Sequence, residues 1–158
     1  MKTILVILGA IGALLAVLSL AKRKFVAESK VKMADIPAIF DRLRAAGKDG
    51  SFAVFIFTPA GKSSPDEAIN IQFSNEGGRI GLDWVLLGSP NVRDKEKFVQ
   101  FVERLGYKVS VREMNDVKYL RVEEGGSLPQ LCEASLRDLY SISPEADLDL
   151  IPEGFTWP

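Results

Sequence analysis

Carboxylates are the acid–base groups this chain has to work with. It contains no histidine and a single cysteine, Cys132. Ser-His-Asp and Cys-His catalysis are thereby excluded, as are the usual zinc sites built from His and Cys. Cys132 falls on the apolar stripe of a predicted helix beside Glu133, with Asp138 on the same helix. That is the setting of a small core residue and not of an activated thiol, which needs electropositive surroundings. Gly61-Lys62-Ser63 could pass for the end of a phosphate-binding loop. Position 56 is Ile where that motif needs glycine, and Pro65 and a strand follow where it needs a helix. No cofactor is expected.

Among the acids, Asp83 stands out. It lies mid-strand between Leu82 and Trp84, on the face opposite the tryptophan. A buried, unpaired carboxylate costs several kcal/mol. Asp83 must therefore be exposed, paired with a base such as Arg79 or Arg121, or functional. Asn75, Glu76, Arg79 and Asn91 fall near the same sheet edge. The plain reading of these residues is the polar outer face of a half-solvated sheet. The sharper one is a recognition face of Glu76, Arg79, Asp83, Trp84 and Asn91, since Trp and Arg are frequent interface anchors. Asp147 and Asp149 are two apart, and Glu123 and Glu124 are adjacent. Glycoside hydrolysis needs two carboxyl groups facing each other across a cleft, which nothing in so small a domain suggests. The acidic end reads more simply as solvated surface or as a docking site for a basic partner, with Asp147 and Asp149 as its contacts.

The elements that position these residues follow from periodicity. Asp35 and Pro37 open a helix with Ile36, Ile39, Phe40 and Leu43 on one side, and Gly47 stops it. Residues 51–58, SFAVFIFT, are apolar on both faces and read as a central strand. Residues 68–74 alternate, with Ile69, Ile71 and Phe73 inward and Asn70 and Gln72 outward. A turn at 75–78 leads into RIGLDWVLL, whose Ile80, Leu82, Trp84 and Leu86 share a face. A helix runs from Ser89 to about Leu105. Two strands follow, joined at Asn115-Asp116, and a last helix covers 127–141. The expected fold is α+β: a mainly antiparallel five-stranded sheet with about three helices, in the order αβββαββα. The stretch 143–158 shows no clear period.

The chain of 158 residues has a formal charge of −1, unevenly placed. Beyond Lys24 there are sixteen bases against twenty-one acids, and from Glu123 onward eight acids against Arg137. Such a balance argues against a nucleic-acid partner, which needs a basic face. Ile4 to Ala21 contains one polar residue, Ser19, and as a helix would span roughly 27 Å. Ser19-Leu20-Ala21 is an acceptable signal-peptide cleavage site, but the run is long for such a signal and Lys22, Arg23 and Lys24 follow at once. Positive charge holds its flank in the cytoplasm. Hydropathy therefore predicts a single-pass anchor over 1–24, with Ile4, Leu8, Ile11, Leu15 and Leu18 in the bilayer and Lys22, Arg23 and Lys24 at its inner surface. A linker over 25–34 and a cytoplasmic α+β domain over 35–158 would follow. The alternative is a periplasmic or exported domain, freed by cleavage after Ala21.

The functional expectation is a membrane-tethered, non-enzymatic protein-interaction domain, with a basic protein as its partner. Two alternatives stand beside it. One is a small-ligand-binding or carboxylate-dependent enzymatic domain centred on Asp83. The other is an accessory structural subunit of a membrane complex.

Overall fold

The computed structural model describes residues 29–158. Seven strands form one sheet: β1 (Ser29–Val31), β2 (Phe52–Phe57), β3 (Ile69–Glu76), β4 (Arg79–Val85), β5 (Val109–Met114), β6 (Val117–Val122) and β7 (Leu148–Glu153). Their spatial order is β1-β7-β2-β3-β4-β6-β5, and every pairing is antiparallel. Four helices accompany them: α1 (Ile36–Ala46), α2 (Ser89–Arg93), α3 (Lys95–Arg104) and α4 (Leu128–Ala134).

Turn chemistry sets the register of the two tight hairpins. Gly77 and Gly78, with φ of 61° and 82°, join the paired residues Glu76 and Arg79. Asn115 and Asp116 do the same between Met114 and Val117, with φ of 50° and 64°. Two-residue turns of positive φ match the twist of paired strands, and Asn and Asp are the side chains that best tolerate this conformation. Gly47, at φ 59°, ends α1 as its sequence suggests. The helix expected from Ser89 onward breaks at Asp94 into α2 and α3. The side chain of Ser127 caps α4 by accepting from the Gln130 amide, and α4 runs on into a π-turn over Ser135–Leu139.

The main core lies between one face of the sheet and the helices. Ile36, Ile39 and Leu43 of α1, Phe98 and Val102 of α3, and Leu131 of α4 meet Phe55, Phe73, Leu82, Trp84 and Leu120 of the strands. Trp84 is stacked with Phe98, ring centroids 4.4 Å apart, and with Tyr140 at 5.6 Å. Such contacts add to the large apolar area these rings bury.

Three expectations are corrected. Among the described residues the sheet has seven strands where five were expected, and the helices number four where about three were expected. The two additional strands are the first and the last elements of the described residues. β1 falls within the stretch read as a linker, and β7 within the stretch read as aperiodic. In β7 the burial does alternate, with Leu148, Leu150 and Pro152 buried. Asp147, Asp149 and Pro152 hide that pattern, because acids and proline are poor strand formers. Pro152 pairs with Ala53 of β2.

The third correction concerns the membrane. Among the described residues, no helix is long and apolar enough to cross one. Ile4, Leu8, Ile11, Leu15, Leu18, Lys22, Arg23 and Lys24 lie outside the described residues. The transmembrane, single-pass architecture is not supported, nor are the cytoplasmic-facing and exported addresses built on it. Hydropathy reports how apolar a segment is, not what it is buried against. A bilayer and a protein face satisfy it equally.

Candidate functional site

Asp83 sits on the face of the sheet away from the helices. Gln72 of β3 is opposite it on one side and Arg121 of β6 on the other. Asp83 is 0% exposed and Arg121 1%. Arg121 Nη1 donates to Asp83 Oδ1 at 2.8 Å and to Ser74 Oγ at 2.8 Å. Asp83 Oδ2 accepts from Gln72 Nε2 at 3.2 Å and from the Ser74 hydroxyl. The rest of the guanidinium is also occupied. Nε donates to Glu123 Oε1 at 2.8 Å, and Nη2 to the carbonyls of Arg79 at 3.0 Å and Ser74 at 3.3 Å.

An outer ring of charges surrounds this pair. Glu76 Oε2 accepts from Arg112 Nη1 at 2.8 Å, and its Oε1 from the Tyr119 hydroxyl at 3.1 Å. Glu76 Oε1 also lies 3.2 Å from Arg121 Nη1. Arg112 Nη2 reaches Glu123 Oε2 at 3.2 Å, and the Arg79 guanidinium lies 3.7 Å from the same oxygen. Gly81 makes the arrangement possible. A Cβ there would stand 2.5 Å from Arg121 Cζ, so only glycine lets the guanidinium lie against the strand.

The electrostatics follow from burial and pairing. Desolvation pushes the Asp83 carboxyl up to about 6, against the pull of the Arg121 charge and the Ser74 hydroxyl. Burial opposes the charge of Arg121 as well, but Asp83, Glu123 and Glu76 more than offset it and keep the guanidinium protonated. At Glu123 partial burial acts upward. The hydrogen bond from Arg121 and the charges of Arg121, Arg112 and Arg79 outweigh it and hold the carboxyl below its usual range.

General acid–base chemistry requires a group within hydrogen-bond reach of a substrate. Asp83 presents no surface, and both its oxygens are occupied. A shallow depression of about 360 Å³ at the rim is lined by Arg79, Lys108, Ser110, Arg112, Glu123 and Glu124, and touches Arg121 without reaching Asp83. Among the described residues, no group of three His, Cys, Asp or Glu could hold a metal ion. The network ties β3, β4 and β6 together through charge.

The other residues singled out by sequence are dispersed. Trp84 is fully buried on the helix side, its Nε1 donating to the Asn91 carbonyl at 3.1 Å. Asn91 is buried too. Its side-chain amide donates to the carbonyls of Asn70 at 2.7 Å and Val85 at 2.9 Å, bracing the start of β3 against the end of β4. Asp147 pairs with Lys32 at 2.7 Å, and Asp149 with Lys30, so both acids fasten β1 to the β7 region. The structure thus brings Glu76, Arg79 and Asp83 together and separates them from Trp84, Asn91, Asp147 and Asp149. Cys132 is buried, and burial and Glu133 push its thiol up, away from reactivity.

Gln72, Ser74, Gly81, Arg112 and Tyr119 are the members that sequence reasoning missed. One signal could have found them. β3 carries polar residues at every second position, Asn70, Gln72, Ser74 and Glu76, on the face where Asp83 and Arg121 also project. A mid-strand glycine beside them marks a close approach.

Comparison with known proteins supplies no relative: no family model, no curated protein and no solved structure matches this chain.

Proposed function

We propose that this domain is a non-enzymatic protein-interaction module that binds an extended segment of another protein at the β5 edge of its sheet. One observation carries the reading. β5 is a six-residue edge strand, and Val111 at its centre is 63% exposed, the most exposed large hydrophobic residue described. Open edges invite pairing, and proteins usually blunt them with short strands, charge or cover. On the opposite edge the described part of β1 carries a charge that is already paired, Lys30 with Asp149. β5 is six residues long, and among the described residues no strand lies beyond it. Strand addition would draw affinity from main-chain hydrogen bonds and selectivity from alternate side chains. Closure of Asp83 inside its network favours binding over catalysis.

The test compares partners cross-linked to the wild type and to Val111→Lys, with Asp83→Asn as a second variant. A partner captured by the wild type and lost with Val111→Lys supports edge binding. Retention of the same partners by Val111→Lys overturns it. An activity abolished by Asp83→Asn in a folded protein would favour the enzymatic alternative instead.

A further inference from the structure

β5 presents different chemistry on its two faces. Ser110 and Arg112 pair with Arg121 and Tyr119, and so project to the face that holds Asp83. Val109 and Val111 pair with Val122 and Leu120 of the main core, and so project to the helix side. On the Asp83 face, Lys108, Ser110 and Arg112 all line the shallow depression of about 360 Å³. Lys108 and Ser110 are exposed, and the Arg112 side chain is 32% exposed. Of the acids in that lining, Glu123 already holds Arg121 and Arg112, and Glu124 stands past the end of β6. The short Ser110 thus leaves a gap between two cations at the open edge of the sheet.

We propose that the segment received at β5 is acidic, with an Asp or Glu opposite Ser110 and an apolar residue on either side of it in sequence. The inference rests on the edge-binding reading and gives the partner its chemistry. In an added strand, the residue opposite Ser110 projects to the Asp83 face, within diagonal reach of the long side chains of Lys108 and Arg112. A carboxylate there meets a cation on each side. Arg112 spends one N–H of Nη1 on Glu76 and one of Nη2 on Glu123, and a guanidinium carries five. The two neighbours of that residue project to the other face, opposite Val109 and Val111, where apolar side chains would cover the exposed Val111. The same charges argue against a second copy of β5 as the occupant. Antiparallel self-pairing about Val111 sets Arg112 of the second copy opposite Ser110, between Lys108 and Arg112. Pairing about Ser110 sets it opposite Lys108, and pairing about Arg112 sets the two arginines against each other. Like charges directly opposite destabilise a strand pair.

The test uses the full-length chain and a fluorescein-labelled peptide, Ser-Thr-Val-Glu-Val-Thr-Ser, with the central Glu replaced by Gln or by Lys in two further peptides. Fluorescence polarisation is read at low salt. The Glu peptide should bind roughly tenfold more tightly than the Lys peptide, with the Gln peptide between them. Lys108→Glu, at an exposed residue outside the buried network, should erase or reverse that order. Val111→Lys, read with the uncharged Gln peptide, should abolish binding. Equal binding of the three peptides, with the Gln peptide lost in Val111→Lys, overturns the acidic preference and leaves edge binding standing. An order of affinities unchanged by Lys108→Glu overturns the placement of the carboxylate beside Ser110, and the proposal with it. Binding of the Gln peptide that survives Val111→Lys, or no binding of any peptide, overturns the edge reading as well.

Discussion

On the helix side of the sheet Trp84 lies between Phe98 and Tyr140, among Leu82 and Leu120. One residue along β4, on the other side, Asp83 is just as buried and is held by Arg121, Ser74 and Gln72. The first arrangement tolerates changes of shape at the cost of cavities. The second tolerates almost no loss of a partner, because any member removed leaves charge or hydrogen-bonding capacity stranded in a medium that cannot solvate it. The two faces of one strand thus bury side chains equally well with opposite sensitivities.

The largest effects should separate the faces by pH and not by size. Arg121→Met should cost about 3–5 kcal/mol, by stranding Asp83 and weakening the hold on Glu76 and Glu123. Trp84→Ala should cost a similar ~3–5 kcal/mol, by opening a cavity. Urea unfolding at pH 7 and pH 5 distinguishes them. The Arg121→Met loss should shrink at pH 5, where Asp83 takes up a proton, and the Trp84→Ala loss should not move.

A somewhat smaller effect isolates Asp83 itself. Its folded value of about 6 lies above its ordinary value of 3.8. Between those values the folded protein keeps a proton that the unfolded chain has released, so stability falls as pH rises through the window. The contribution is fully present below about pH 4 and is lost above about pH 6, on the order of 2–3 kcal/mol in all. The wild-type stability curve should therefore fall over that range relative to Asp83→Asn. Parallel curves would mean that Asp83 is no more buried than an ordinary surface acid.

Gly81→Ala comes next. Arg121 must move to make room, at about 1–3 kcal/mol. Combined with Arg121→Met, the glycine change should cost little more, because the group it collides with is gone. Full additivity would show that Gly81 serves backbone conformation instead. The smallest effect is expected at Asp147→Asn. Its pairing with Lys32 is exposed, and thermal unfolding should not register the loss.

Much of the fold was legible in the sequence because the elements concerned are local. The alternation of Ile69, Ile71 and Phe73, the doubly apolar run at 52–57, the two glycines at 77–78 and the Asn115-Asp116 turn each carry their instruction within a few residues. For the candidate site, sequence reasoning reached Asp83 and offered Arg121 as a possible base. It also named Glu76 and Arg79 of the outer ring, but not Ser74 or Gln72, because pairing Ser74, Asp83 and Arg121 requires knowing that β6, not β5, lies beside β4.

By itself the sequence determined the strands β2 to β6, the apolar faces of the helices, the two hairpin turns, the buried role of Cys132 and the absence of histidine chemistry. All of these depend on residue type and short-range spacing. Tertiary structure alone decided that β7 returns between β1 and β2, that Asp147 and Asp149 are spent on Lys32 and Lys30, and that Trp84 is core. It also decided that Gln72 and Ser74, on the polar face of β3, are buried and not solvated. The physical reason is the same each time. A polar residue's alternation shows which way it points, whereas its partner and its access to water depend on strands far away in the chain.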